Sequence, residues 1–125
     1  GDVVGDVGPQ ELPKFSQKKQ RMLERVREKG LALEGASDKL QADRDVVLAA
    51  VRQDGRALAY ASDELKADKE IVLEAVGINP MVLEYVSEVL RADKVVVLTA
   101  VRVIPRALQF ASEELRADKE VVLEA

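Results

Sequence analysis

Residues 56–75 read RALAYASDELKADKEIVLEA and residues 106–125 read RALQFASEELRADKEVVLEA. Such a likeness at a separation of 50 residues means that the chain reiterates one structural unit instead of building a single irregular core. Working outward, Leu33, Leu58, Leu83 and Leu108 fall at equal steps of 25 residues. So do Ser37, Ser62, Ser87 and Ser112, then Leu40, Leu65, Leu90 and Leu115, then Asp43, Asp68, Asp93 and Asp118. Four copies follow, at 30–54, 55–79, 80–104 and 105–125. Upstream, Phe15, Leu23, Val26 and Gly30 keep the register of Leu40, Leu48, Val51 and Gly55, so residues 14–29 are a degenerate half copy that caps the array behind an irregular arm, 1–13.

Within a copy, Asp68 stands before the apolar run Ile71, Val72, Leu73, Ala75, Val76. An aspartate there accepts an orphan amide hydrogen bond and opposes the positive end of the helix dipole, which makes it an N-cap. The run leaves Glu70 and Glu74 for solvent, an apolar arc wide enough for a helix flanked on both sides by neighbouring copies. The first half of a copy is expected to be a shorter helix, opened by Gly30, Gly55, Pro80 or Pro105, with Leu83, Tyr85 and Val86 (or Leu108, Phe110 and Ala111) facing inward. A serine-capped turn, read as a 3₁₀ piece, should link it to the aspartate cap. The fold expected is an all-α solenoid of 25-residue helix-turn-helix repeats, held together by burial between copies because helices of about ten residues are marginal alone.

Composition narrows the chemistry. The 125 residues include no cysteine and no histidine, which removes disulfides, thiol nucleophiles, imidazole acid–base catalysis and the usual zinc ligands. No cofactor or metal is expected: neither GxxxxGK[ST] nor an EF-hand loop occurs, and Gly1, Gly5 and Gly8 lie in the irregular leader. The repeated serines have no base beside them and read as caps. Arg44, Lys69, Lys94 and Lys119 directly follow the aspartates and are expected to neutralise them. Net charge is -4, so the chain as a whole does not attract phosphate polymers or anionic membranes. No run approaches the roughly 18 apolar residues of a spanning helix. A start at Gly1 without an initiator methionine reads as a trimmed product, and the lack of cysteine suits the cytosol, the nucleus or an organelle interior equally, leaving localisation open.

The signature ALxYASxELxADKExVLEAV, at residues 57–76 and nearly complete at 107–125, resembles the repeat family called domain of unknown function 4116, over about residues 30–125. That resemblance implies a helical repeat array and carries no catalytic or ligand residue over to this chain. If the chain is an accessory or scaffold subunit of a larger assembly, the family's occurrence in bacteria and microbial eukaryotes, algae among them, implies an organellar, in its most specific form photosynthetic, one. The half copy and the third repeat, where Val95 replaces an acidic residue, depart from the pattern.

Those departures carry the functional expectation. Val89, Val95 and Thr99 stand in the columns of Glu64, Glu70 and Glu74, Met81 in that of Arg56, and Val103 and Ile104 in those of Gln53 and Asp54. Charge is stripped from one copy, and an apolar patch on an otherwise charged surface commonly marks a contact surface. The alternatives are that the N-terminal arm covers it or that it is drift. At the other end, Val121, Val122 and Leu123 have no following copy to cover them, so either the natural chain continues or another protein packs there. The reading is a non-catalytic module that binds a protein partner. Its rival is an adaptor for RNA or acidic lipid through residues 14–29, whose seven cations, among them Lys14, Lys18, Lys19, Arg21 and Arg25, outnumber Glu24 and Glu28. An enzyme would need a carboxylate pair in a deep pocket.

Overall fold

The computed structural model describes residues 13–125; the expected arm lies outside the described residues except for Pro13. The described residues form helices and turns without a strand. The half copy is α1 (Lys14–Glu28). Each copy then supplies a six-residue 3₁₀ segment, a four-residue α-turn and a longer α-helix. The 3₁₀ segments are Gly30–Gly35, Gly55–Tyr60, Pro80–Tyr85 and Pro105–Phe110. The short turns are α2 (Asp38–Gln41), α4 (Asp63–Lys66), α6 (Glu88–Arg91) and α8 (Glu113–Arg116). The longer helices are α3 (Arg44–Gln53), α5 (Lys69–Ile78), α7 (Lys94–Val103) and α9 (Lys119–Glu124).

The helices α1, α3, α5, α7 and α9 pack in succession as one layer, and the 3₁₀ segments pack in succession as the other. This is an α-solenoid. Its interior is aliphatic: Val46, Ile71, Val96 and Val121 share a column of zero exposure, as do Leu33, Leu58 and Leu83 in the 3₁₀ layer. No polar or charged residue is buried among the described residues.

Two expected segments exchange their helix types. The first half of each copy is 3₁₀, where residues three apart eclipse. Gly55, Leu58 and Ala61, or Pro80, Leu83 and Val86, therefore form the buried edge. Tyr85, two places beyond Leu83, turns outward and is 41% exposed, contrary to the expected inward position, while Phe110 is half-buried. The serine turns are α instead, closed by a bond such as Arg91 N–H to Ser87 O at 3.0 Å. Glycine opens the first two copies because the approach is close: a Cβ at Gly30 would collide with the Ala50 carbonyl, and one at Gly55 would sit 3.1 Å from that of Ala75.

Arg44, Lys69 and Lys94 pair not with the aspartates beside them in sequence but with those of the next copy. Asp43, Asp68, Asp93 and Asp118 each use Oδ1 to accept the two amides that open their own helix. The other oxygen, Oδ2, faces backward. It accepts Lys19 Nζ at 3.2 Å, Arg44 Nη1, Lys69 Nζ at 2.9 Å and Lys94 Nζ at 3.3 Å, in that order along the chain. Adjacent long helices lie side by side, which brings each of these cations within reach of the following copy's cap. A second ladder runs through the serines. Ser62, Ser87 and Ser112 donate their N–H to Gln41, Lys66 and Arg91 carbonyls of the preceding copy at 2.9, 3.2 and 3.0 Å. Each of these serines also caps its own turn through Oγ.

These contacts set the acid response. Lys19, hydrogen-bonded to Asp45, holds that carboxyl below its ordinary value. Burial pushes Asp93 up, but Lys69 and the Val96 and Val95 amides outweigh it and leave the group lowered. At Asp118 the Val121 amide does most of the lowering, with Lys94 adding to it against desolvation. Groups depressed in the folded state contribute stability that is complete above the unfolded pKa, near about 4, and is lost as pH falls below it. Denaturant midpoints should therefore be flat between about pH 6 and 8, where the chain has no histidine to titrate, and should fall below about pH 4. An unchanged midpoint in acid would contradict the ladder.

Core substitutions should track position in the stack. Leu98 is 9% exposed and Leu123, two places before the end of the sequence in the same column, 76%. Leu98→Ala should cost about 2–5 kcal/mol and Leu123→Ala under about 0.5 kcal/mol in chemical denaturation. At the cap, Asp93→Ala should cost about 1–2 kcal/mol and Asp93→Asn less, since asparagine still accepts the helix amides.

Candidate interaction face

On each long helix one stripe, spaced i, i+4, i+7, looks away from the 3₁₀ layer. It comprises Asp45, Ala49, Arg52 on α3; Glu70, Glu74, Gly77 on α5; Val95, Thr99, Arg102 on α7; and Glu120, Glu124 on α9. Where the charges are present, they pair across copies. Between α3 and α5, Arg44 holds Glu70 as well as Asp68, and Arg52 Nη2 meets Glu74 Oε2 at 2.9 Å. Between α7 and α9, Lys94 Nζ reaches Glu120 Oε1 at 2.7 Å and Arg102 Nε meets Glu124 Oε1 at 3.0 Å.

The step between α5 and α7 lacks both supplementary pairs. Lys69 meets Asp93, but Val95 stands where its second carboxylate would be. Gly77 and Thr99 together replace the Arg and Glu of the second pair, and the Thr99 hydroxyl donates to its own helix, to Val95 O at 2.8 Å. What remains is apolar: Val95 is 53% exposed, Val103 60% and Ile78 50%.

The sequence-predicted residues are thus only partly gathered. Val95, Thr99 and Val103 lie along one side of α7, and Ile104 follows at its end, half-buried. Val89, the most exposed at 78%, belongs to the separate turn α6. Met81 is half-buried against the core at the start of its 3₁₀ segment. At the C-terminal helix, Val121 is a correction: it is wholly buried, because its side faces back onto α7, whereas Val122 and Leu123 are exposed. Ile78 was missed; its column holds Gln53 and Val103, and only comparison across the stack marks it.

The basic half copy splits into two sides. Lys14, Lys18, Arg21 and Arg25 form one exposed stripe of α1, without a carboxylate partner among the described residues; Arg21 meets the Gln17 amide oxygen at 3.4 Å. Lys19 faces the other way and is held by Asp43 and by Asp45 at 2.8 Å, which removes it from an anion-binding stripe. On that second side, Arg27 occupies the column of Arg52 and Arg102 but faces Ala49 where they face glutamates.

No helix among the described residues is long and apolar enough to cross a membrane. No curated protein and no solved structure matches the chain. The family model DUF4116, a domain of unknown function, matches residues 19–66, 68–116 and 93–125, so its boundaries fall across the same repeated unit that the two ladders link. Nearly all of the described solenoid is covered, and the chain belongs to the DUF4116 family.

Proposed function

We propose that the protein is a non-catalytic interaction module whose partner, another protein, packs on the stripe face of the long helices, as it would in an accessory or scaffold subunit of a larger assembly. One observation carries the reading. The same step of the stack, between α5 and α7, has lost both ion pairs and gained exposed valine and isoleucine, while the steps on either side keep their charges. At the second pair Gly77 and Thr99 are both changed, so no unpaired charge is left on the strip. Desolvating a strip from which charge has been withdrawn avoids the cost that burying Glu70 or Glu74 would bring.

The test restores the repeat's own residues. Val95→Glu supplies Lys69 with a second carboxylate, and Gly77→Arg with Thr99→Glu rebuilds the pair seen at Arg52 and Glu74, so helicity and thermal midpoint should hold or rise. Companions co-purifying with the native chain, identified by mass, should be lost from the triple variant and kept by a control such as Lys39→Ala. An unchanged set of companions would remove this surface.

A second reading has its own observation, the stripe of Lys14, Lys18, Arg21 and Arg25, unpaired among the described residues, whose cations recur about one helical turn apart along α1. It supports contact with RNA or an acidic lipid surface. Binding of a single-stranded oligonucleotide or of anionic vesicles should then steepen as salt is lowered and disappear in Lys18→Glu/Arg21→Glu/Arg25→Glu.

A further inference from the structure

The groove between α1 and α3 is a second departure from the ion-pair pattern on the same face, and it differs in kind. At the α5 and α7 step both members of the pair are gone. Here the cation stays and its acceptor is missing: Arg27 has no carboxylate partner among the described residues, and Ala49 stands in the column of Glu74 and Glu124. A groove of about 620 Å³ lies there, lined by Leu23, Leu48 and the short Ala49 together with Gln20, Arg27 and Arg52.

We propose that this groove receives a glutamate side chain from an acidic, leucine-bearing segment of the partner protein, which completes in trans the pair that the other two steps make in cis. The proposal rests on the protein-binding reading and specifies the partner's chemistry. Charge accounting selects one carboxylate over a polyanion. Lys19 is held by Asp43 and Asp45, and Arg52 by Glu74, so among the described residues Arg27 is the one groove cation without a carboxylate. Asp45 also lines the groove, and its negative charge disfavours a run of phosphates more than a single carboxylate. An exposed ion pair contributes under about 1 kcal/mol, so most of the affinity has to come from apolar contact with Leu23 and Leu48, and the partner segment needs leucine as well as glutamate.

Helices in a stacked layer lie about 8–10 Å apart, which puts the lone arginine on α1 two to three spacings, roughly 16–30 Å, from the apolar strip on α5 and α7. A single partner element can span both.

The experiment is a fluorescence-polarisation titration of the full chain with a labelled ten-residue peptide of alternating leucine and glutamate pairs. Saturable binding is expected, weakened at least about threefold by Arg27→Gln and by about tenfold or more by Ala49→Glu. The second variant is informative because its introduced carboxylate can pair with Arg27 as in the other steps, so its thermal midpoint should equal or exceed that of the native chain while the groove is filled. A peptide with glutamine in place of glutamate should bind at least about threefold more weakly. Equal binding to native chain and Ala49→Glu, no saturation by about 1 mM peptide, or tighter binding of a single-stranded RNA than of the peptide would each overturn the proposal, the last in favour of a phosphate site. The triple variant at Gly77, Val95 and Thr99 should leave this titration unchanged, so failure of the apolar strip and failure of the groove are read separately.

Discussion

Each repeated aspartate is shared between two copies, and the rest of the structure is organised around that sharing. One carboxylate oxygen closes the N-terminus of its own helix and the other takes the cation of the copy before it. A capping box confined to one helix would leave the stack free to slide; a carboxylate with both oxygens committed fixes the distance and register between neighbours. The individual pairs are partly exposed and worth little singly. Their value lies in specifying alignment, while burial of Val46, Ile71, Val96 and the leucine columns supplies most of the stabilisation. The serine ladder does the same on the short turns with neutral groups, its N–H committed to one copy and its Oγ to another part of its own.

Because alignment is already set by the aspartates, the outer ion pairs are dispensable for the fold. The α5 and α7 step keeps the Lys69 to Asp93 link and the full buried columns while giving up both outer pairs. The α1 and α3 step keeps two contacts to Lys19 and gives up the acceptor of Arg27. A solenoid can therefore vary one face step by step without loosening its core. Both departures lie on that variable face, so the proposed partner contacts leave the caps uninvolved.

Much of this was legible along the chain. The period of 25, the aspartate and serine caps and the identity of the buried columns follow from spacing, since a residue that recurs in every copy meets the same surroundings in each. The exposure of Val95 and Val103 followed from the columns they share with Glu70 and Gln53. Less was legible at the chain's end, where Val121 was grouped with Val122 and Leu123. A contiguous apolar triplet does not say which member faces back into the stack and which faces outward.

Sequence by itself determined the repeated unit, the helix starts and the aliphatic composition of the core, because these are set by local hydrogen bonding and by period. Tertiary structure decided the partners. Arg44 stands next to Asp43 in the chain yet bonds Asp68, and Arg27 is unmatched only because α3 presents Ala49 at that height. It also decided that the first half of each copy winds as 3₁₀, where every third residue meets the layer beneath, and so turned Tyr85 to solvent. The physical reason is common to all three: a side chain's neighbour across a stack is fixed by how helices lie side by side, a distance that counting along the chain does not measure.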